Sequence, residues 1–427
     1  MLQTLALWAV VVWFVLFLAL GQNVATVLFG AGLLGIALWV GPQVFPGLVA
    51  TNIFFTASTY SLSIIPLYLL MAQLLLRGGV VVDLFEVGYR LSGRRRFPLG
   101  VATVVSGGVL GAVSGSGAAT SAALATLAAP QLEQLGYTRR MSVSLAAVAG
   151  SLSAVIPPSL IMIIYGSLTT VSIGQLFIGS LVPAALCIAV YIACLRAFGE
   201  VRPGVVDGEW VRTAPDAVTG NGVTAFVFVV ALMGVVFGGI YGGVVTVGEA
   251  GALGAFTALV GMVAMRRVGV HDISTALADS VKVTAMLMLV VIGSQVFGRF
   301  LSYSQLPREL LGLLGPWLDQ PTLLVTVLLA VFFLFGLFLE SAAVMVLLLP
   351  VMTPILEAAR IDLLWFGVMA CFMISLGLLT PPVGLAAYSA ATAAQHPVGP
   401  VFWMTGRFAL LAAVIVSGLM LWFPAVV

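Results

Sequence analysis

The chain has 427 residues, of which 62% are hydrophobic and only 7% are charged, and its formal net charge is +2. Soluble domains carry roughly a quarter charged residues, so this composition excludes an ordinary soluble protein and gives no basic surface for nucleic acid. The chain is therefore predicted to be an all-α integral membrane protein that lies in a lipid bilayer.

About ten segments approach the roughly 20 apolar residues that cross a bilayer, beginning with residues 5–20. The first of them lacks the basic start and the small-residue cleavage site of a secretory signal, which predicts a retained helix. The chain is thus expected to cross the membrane many times.

Basic residues set the expected orientation. The densest group consists of Arg90 and arginines 94–96, and Arg139 and Arg140 follow the next apolar stretch. Arginines near the ends of membrane spans favour the cytoplasm. All these groups share one side only if residues 98–138 enter the membrane and return without crossing it, as a re-entrant hairpin. The remaining crossings then place both termini on the opposite side.

The chain resembles itself at a fixed distance. Pro130 is followed 27 residues later by Pro157-Pro158, and Pro354 is followed 27 residues later by Pro381-Pro382. An odd number of crossings in each half makes the second copy inverted relative to the first. Inverted repeats with interrupted helices are typical of secondary transporters, whose sites lie where the interruptions meet.

The duplication predicts five segments. They are scaffold helices and an interfacial arm (1–97), a hairpin, broken helix and closing helix (98–197), a polar cytoplasmic linker (198–222), a second scaffold with its arm (223–320), and a second hairpin, broken helix and closing helix (321–427). The arms, residues 77–97 and 302–320, directly precede the hairpins and could couple them to the scaffold.

The interruptions predict binding sites, because backbone that is not helical inside a bilayer must be satisfied by protein, water or an ion. In the first half, Ser114, Ser116 and Thr120 offer oxygens at the hairpin tip, and prolines 157 and 158 free carbonyls near Ile156. In the second half, Glu340 and Ser341 mark the hairpin tip and Thr380 precedes the break. Oxygen ligands without thiol or imidazole suit a hard cation, and no transition-metal motif is present.

Three stretches resemble the large membrane subunit of tripartite ATP-independent periplasmic (TRAP) transporters, the DctM-like family. They are "GAVSGSGAATSAALATLAAPQLEQLGYTRR" (111–140), "IPPSLIMIIYGSLTTVSIGQLFIGSLVPA" (156–184) and "LGLLTPPVGL" (376–385). "YGGVVTVGEAGALGA" (241–255) resembles a further block, so the similarity covers nearly the whole chain.

The resemblance implies an elevator-type, sodium-driven importer of the bacterial inner membrane with periplasmic termini. It also implies a separate small four-helix membrane subunit, a periplasmic substrate-binding protein and a small solute such as a carboxylate. No cofactor is expected beyond sodium as the coupling ion.

Matched position by position, the resemblance implies two sodium sites and a solute site between them. The first sodium site takes Ser114, Gly115, Ser116, Thr120, Gly150 and Ile156, and the second takes Gly336, Glu340, Ser341, Gly377, Thr380 and Gly384. The solute is expected to contact Ser116, Gly117, Pro157, Pro158, Ser159, Pro381 and Pro382.

Two positions depart from the family, since members often have Asn where Met373 stands and Asp where Glu340 stands. The first departure removes a polar side chain near the second break, so the second half offers fewer side-chain oxygens than the family pattern implies.

Three other functions compete with this prediction. A stand-alone ion-coupled carrier or antiporter would need no binding protein. An intramembrane enzyme is disfavoured because no nucleophile has an evident base and no metal motif is present. A passive channel is disfavoured because paired hairpins are typical of alternating access.

Overall fold

The computed structural model describes residues 2–93, 95–202, 222–318 and 320–424. The linker expected over residues 198–222 lies mostly outside the described residues, as does Arg94 of the basic group. Within the described ranges the chain is helical, apart from one isolated bridge between Tyr137 and Val201.

The first half contains eleven α-helices in its described part. They are α1 (Leu2–Ala19), α2 (Val24–Trp39), α3 (Phe45–Ala57), α4 (Ile64–Arg77), α5 (Val80–Leu91), α6 (Arg96–Ser114), α7 (Gly117–Gln134), α8 (Arg139–Ser151), α9 (Leu160–Thr169), α10 (Ile173–Gly179) and α11 (Leu181–Phe198). Helices α6 and α7 form a helical hairpin, α8 and α9 form a broken helix, and α5 corresponds to the expected arm.

The second half contains nine α-helices among its described residues. They are α12 (Gly222–Tyr241), α13 (Val247–Ala264), α14 (Val270–Ser304), α15 (Leu306–Leu318), α16 (Pro321–Gly336), α17 (Ser341–Ala358), α18 (Leu363–Gly377), α19 (Leu385–Ala393) and α20 (Val398–Trp422). Here α16 and α17 form the hairpin, α18 and α19 form the broken helix, and α15 is the arm.

Seven helices in the described part are long and apolar enough to cross a membrane, and α14 is the longest of them at 35 residues. The pieces of the hairpins and broken helices are mostly shorter than a full span, which is the length expected of interrupted segments.

Ser151 and Ser375 are 224 residues apart. When the numbering of the first half is shifted by this amount, its helices align with those of the second half. This shift places α7 on α17 with identical bounds and α8 within two residues of α18. The capping residues also match, because Ser116 and Glu340 cap α7 and α17, while Thr138 and Asp362 cap α8 and α18. Side-chain caps satisfy the first free N–H groups of a helix, so the same local chemistry starts the helices in both halves.

The two broken helices run antiparallel to each other. The Arg139 guanidinium at the start of α8 donates to the Ala394 carbonyl after α19, at 2.6 Å. At the opposite end, the Tyr165 hydroxyl of α9 donates to the Leu363 carbonyl at the start of α18, also at 2.6 Å. Between these ends the Ser375 hydroxyl donates to the Ser151 carbonyl at 2.7 Å. Equivalent segments that cross in opposite directions are what an inverted duplication requires.

The halves exchange helices around this crossing. Helix α2 packs on α14 and its equivalent α13 packs on α4, which forms a frame. The second helix of each hairpin packs on the broken helix of the other half, α7 on α19 and α17 on α9. The hairpins and broken helices therefore form one block of packed helices.

Ion pairs fasten the first arm to the frame. Arg267, between α13 and α14, contacts Asp83 of α5 and donates to the Gly78 carbonyl at 3.1 Å. Arg77 at the end of α4 pairs with Asp279 of α14. The matching positions near α15 carry Pro307 and Leu310, so the second arm has no equivalent of Asp83 or Glu86.

Candidate ion and solute site at the crossing of the broken helices

The first break lies deep in the protein. Helix α8 ends at Ser151, one turn of 3₁₀ helix covers Leu152–Ala154, and α9 begins at Leu160. Between them the buried Ser159 hydroxyl donates to the Ala154 carbonyl at 2.8 Å. Pro157 and Pro158 are also buried, and the peptide bond between them is cis.

The first hairpin turns within two residues. Gly115 adopts a left-handed conformation with φ of 66°, which glycine accepts without strain. Ser116 then caps α7, and its carbonyl accepts from both the amide and the hydroxyl of Thr120, at 3.0 and 2.9 Å. Ser114 ends α6, and its side chain lies outside the described residues.

Small residues let this tip touch the first break. A Cβ atom built on Gly150 would lie 2.5 Å from the Ser121 amide nitrogen, and one built on Gly111 would lie 2.5 Å from the Ser153 Cα atom. Gly117 at the tip faces the Ser153 hydroxyl and the Gly150 carbonyl, since a Cβ there would lie 3.2 and 3.5 Å from them. The expected ligands Gly115, Ser116 and Gly150 therefore lie on adjoining segments.

Ser153 is a site residue that the sequence reasoning missed. Its hydroxyl oxygen is buried and has no hydrogen-bond partner in the part of the chain that is described. Buried hydroxyls are normally paired, so this hydroxyl beside the hairpin tip stands out from the other polar groups of the break. The sequence repeat could have identified Ser153. A shift of 224 residues places Ser153 on Gly377, which the resemblance implies is a ligand of the second sodium site.

Ile156, expected to supply a carbonyl, follows the 3₁₀ turn, and its amide donates to the Leu152 carbonyl at 2.9 Å. Its side chain packs on the first hairpin, since a Cβ built on Gly108 would lie 2.4 Å from the Ile156 Cδ1 atom. Ile156 thus belongs to the same contact between hairpin and break.

The second half builds its site from backbone. Gly336 at the end of α16 and Gly377 at the end of α18 are in direct contact, since a Cβ on Gly377 would lie 2.7 Å from the Gly336 carbonyl carbon. The Leu337 carbonyl accepts from the amides of Val383 and Gly384, at 3.3 and 3.1 Å. The tip of the second hairpin is therefore hydrogen-bonded to the second break.

Thr380 lies in the same group. Its hydroxyl donates to the Leu376 carbonyl at 2.9 Å, which leaves the oxygen lone pairs as acceptors. Its carbonyl is beside Gly384, where an added Cβ would lie 2.8 Å from the Thr380 oxygen. Four of the six residues expected at the second sodium site, namely Gly336, Gly377, Thr380 and Gly384, are thus neighbours.

Glu340 and Ser341 stand at the N-terminus of α17. The Glu340 carboxylate accepts from the Ala342 amide at 2.9 Å, in the position that Ser116 occupies in the first half. Glu340 is exposed and Ser341 is buried. A carboxylate at a helix N-terminus is stabilised by the helix dipole, so part of the role of Glu340 is to cap α17.

The two breaks adjoin one another. Ser375 and Ser151 are hydrogen-bonded, and a Cβ on Gly117 would lie 3.2 Å from the Leu378 side chain of the second break. The breaks are unequally exposed, because Pro381 and Pro382 are exposed while the first Pro-Pro pair and Ser159 are buried. The residues expected to contact the solute therefore lie around the crossing of the two breaks, but those of the first break are buried and those of the second are exposed.

Met373, a position at which the resemblance implies Asn, packs towards the closing helix. Its sulfur lies 3.5 Å from the Ser417 hydroxyl of α20.

The chemistry available at the crossing is that of neutral oxygens and one carboxylate. Among the described residues no three His, Cys, Asp or Glu side chains are grouped so as to hold a metal ion. The three cysteines are free and buried. Hydroxyl and carbonyl oxygens of this kind suit an alkali or alkaline-earth cation rather than a transition metal.

The described part of the chain is helical, with seven potential membrane spans, a duplicated plan and two helix breaks that cross each other. This is the architecture of a secondary transporter. A family model described as "Tripartite ATP-independent periplasmic transporter, DctM component" matches residues 11–426. The chain belongs to this family, the large permease subunits of TRAP transporters.

Relatives agree with the family assignment, and a solved structure agrees with the fold. A C4-dicarboxylate TRAP transporter large permease protein of Pseudomonas aeruginosa is 30% identical over 82% of this chain and 82% of its own. An ectoine TRAP transporter large permease protein of Halomonas elongata is 28% identical over 86% of this chain and 85% of its own. A crystal structure of the YdaH transporter of Alcanivorax borkumensis shares the fold, with a TM-score of 0.68, 16% identity and coverage of 90% of this chain and 89% of that one.

Proposed function

We propose that this chain is the translocation subunit of a sodium-coupled importer of a small, carboxylate-bearing solute in the bacterial inner membrane. A small four-helix membrane subunit and a periplasmic substrate-binding protein would work with it, and both of its termini would be periplasmic. Its membership among large permease subunits supports transport rather than catalysis.

The observation that carries the proposal is the pair of oxygen-rich helix breaks, each in contact with the tip of a helical hairpin. We propose that both hairpins are re-entrant and that each contact holds one sodium ion. The first ion would be bound by oxygens of the 114–120 tip, Gly150, Ser153 and the backbone near Ile156. The second would be bound near Gly336, Gly377, Thr380 and Gly384, with Glu340 and Ser341 close by.

The helix termini favour an anionic solute on one side of the crossing. Helix α7 begins with Ser116, an uncharged cap, so the partial positive charge of its N-terminus is available to a carboxylate. The N-terminus of α17 already holds the Glu340 carboxylate. We therefore place the solute carboxylate beside Ser116 and Gly117, with the Pro-Pro segments and Ser159 around it. The relatives are named for different solutes, so only the class is proposed.

Two observations support an elevator mechanism. The hairpins and broken helices pack as one block, and a separate frame is formed by α2, α4, α13 and α14. In addition, the second break is exposed while the equivalent first break is buried. Unequal exposure of equivalent parts is expected of a duplicated transporter that rests in one of two alternating states.

The overall proposal is tested by solute uptake into proteoliposomes that contain this chain and its small partner. Uptake should require both the cognate binding protein and an inward sodium gradient. Uptake without the binding protein would make the chain a stand-alone carrier, and uptake without sodium would assign the oxygen-rich breaks to protons or to the solute.

The first ion site is tested by comparing two buried serines of the first broken helix. Ser153 and Ser142 both carry a hydroxyl without a hydrogen-bond partner among the described residues, but only Ser153 adjoins the hairpin tip. Neither Ser153→Ala nor Ser142→Ala removes a hydrogen bond from the described structure, so neither should destabilise the fold by much. Ser153→Ala alone should raise the sodium concentration needed for half-maximal uptake. Equal sodium dependence in both variants would remove Ser153 from the site.

A further inference from the structure

A groove lies between the first arm and the first hairpin, away from the ion and solute site. Its volume is about 490 Å³, and it is bounded by α5, α6 and the start of α12. Nearly all of its lining side chains are aliphatic or aromatic, including Leu84, Val87, Leu91, Val101, Val105 and Phe226. This volume falls within the ~300–1,000 Å³ typical of small-molecule sites.

The groove opens on the outer surface of the protein. Leu91 is 81% exposed, Val105 is 43% exposed and Phe97 is 37% exposed. In contrast, the α5 and α6 backbones meet closely beneath it, where a Cβ built on Gly88 would lie 3.2 Å from the Ala102 side chain. The occupant must therefore be apolar and must enter from the surrounding membrane.

Positive charge is concentrated at one end of the groove. One end of the groove is lined by Leu91 and Ser92 on one side and by Phe97 and Pro98 on the other. In the sequence, these two pairs flank most of the basic group.

The arginines at this end outnumber the acids. Arg90 pairs with Glu86, and the Arg96 Nε donates to the Leu135 carbonyl at 2.9 Å. Arg95 is exposed and makes no ion pair with any residue in the described ranges. In the sequence, residues 90–96 contain four arginines and no acidic residue, which favours a phosphate.

The size of the groove favours a lipid chain over a protein helix. A helix ~10–12 Å across displaces about 1,500 Å³ or more over ~20 Å of its length, several times the volume of the groove. A single acyl chain is narrow enough to lie between α5 and α6, and its headgroup would then reach the arginines.

We propose that this groove binds one acyl chain of an anionic phospholipid, with the headgroup phosphate held by Arg95, which lies at this end with Arg90 and Arg96. The bound lipid contacts the first arm on one side and the first hairpin on the other, so it fills the space between α5 and α6. This site is separate from the proposed transport function.

The proposal is tested on the purified full-length chain in detergent, without any transport assay. Phosphatidylglycerol or phosphatidylcholine with identical acyl chains is added, and bound lipid is counted by native mass spectrometry. Wild type should retain phosphatidylglycerol at lower added concentration than phosphatidylcholine. Arg95→Gln should weaken phosphatidylglycerol retention about fivefold, because each basic residue near an anionic lipid strengthens binding by about this factor. Arg196→Gln, an exposed arginine of α11 outside the groove, should leave retention unchanged.

A second variant separates the acyl chain from the headgroup. Val105→Trp places a large side chain in the open part of the groove and should reduce retention of both lipids. Glycerol 3-phosphate alone should not compete with phosphatidylglycerol. Three results would overturn the proposal: equal retention of the two lipids by wild type, unchanged retention in Val105→Trp, or full competition by glycerol 3-phosphate, which would indicate an anion site without a chain. Loss of transport with normal lipid retention would bear only on the proposed function.

Discussion

The contact between Gly336 and Gly377 makes a sharp prediction for the second hairpin. A methyl group at position 377 would lie 2.7 Å from the Gly336 carbonyl carbon, 2.8 Å from its Cα and 2.9 Å from the Phe333 carbonyl oxygen. All three atoms belong to backbone, so no side chain can move aside. Gly377→Ala should therefore force α16 and α18 apart.

The size of the effect follows from these distances. Carbon atoms in ordinary contact stand ~3.5–4.0 Å apart, so the helices must separate by about 0.8 Å or more. Overpacking of this kind costs roughly 1–3 kcal/mol of stability. The same movement would pull the Leu337 carbonyl away from the amides of Val383 and Gly384, which join the hairpin tip to the break.

The assay is the apparent melting temperature of the purified chain, measured once in sodium chloride and once in choline chloride at the same concentration. Gly418→Ala is the matched control, because that glycine lies in α20 with no atom within 4 Å of an added Cβ. The control should be neutral or up to ~1 kcal/mol more stable. Gly377→Ala should melt at a lower temperature and should lose much of the stabilisation by sodium. Equal melting and equal sodium response in the two variants would refute the packing argument and the proposed second ion site together.

Three further predictions use single side chains. Ser375→Ala removes the hydroxyl that donates to the buried Ser151 carbonyl at 2.7 Å, so the melting temperature should fall, with a cost of about 1–3 kcal/mol; unchanged melting would show that the bond contributes little. Glu340→Ala should lose the cap of α17 at a cost of ~0.5–2 kcal/mol, whereas Glu340→Gln should lose less stability yet still weaken sodium dependence; unchanged sodium dependence in Glu340→Gln would limit Glu340 to capping. Burial and then the nearby Arg139 lower the pKa of His396 in the α19–α20 loop, so the unfolded chain takes up a proton before the folded one and stability should fall as the pH drops through about 6.5. Between pH 7.5 and 5.5, the melting temperature of His396→Gln should therefore fall less than that of wild type. An equal fall in the two melting temperatures would contradict this prediction.

The repeat made much of the helical plan predictable. The Pro-Pro pairs and their spacing predicted two breaks, and the structure has them between α8 and α9 and between α18 and α19. The same spacing predicted the matching of the two hairpins, because proline and glycine act locally on the backbone and leave their signal in the sequence.

The details of the site were less predictable, because they depend on contacts between distant segments. Ser153 was overlooked because a serine in an apolar helix usually serves close packing, and only its burial without a partner distinguishes it. Glu340 was predicted as an ion ligand at the hairpin tip, and its role as the cap of α17 became visible only in the fold. The unequal exposure of the two breaks has no sequence signal, because both breaks carry the same Pro-Pro pair and exposure depends on the helices packed around them.

The hydrogen bond between Ser151 and Ser375 has a consequence for the symmetry of the molecule. These residues occupy the same position in the two halves and touch each other, so an axis that relates the halves passes between them. Yet the bond has a direction: Ser375 gives the proton, while the Ser151 hydroxyl turns to the Val148 carbonyl and the Tyr191 hydroxyl, at 2.8 and 3.3 Å. The position of this hydroxyl proton is therefore not symmetric between the two halves. The direction of this one bond therefore distinguishes the two halves at the point where their equivalent residues meet.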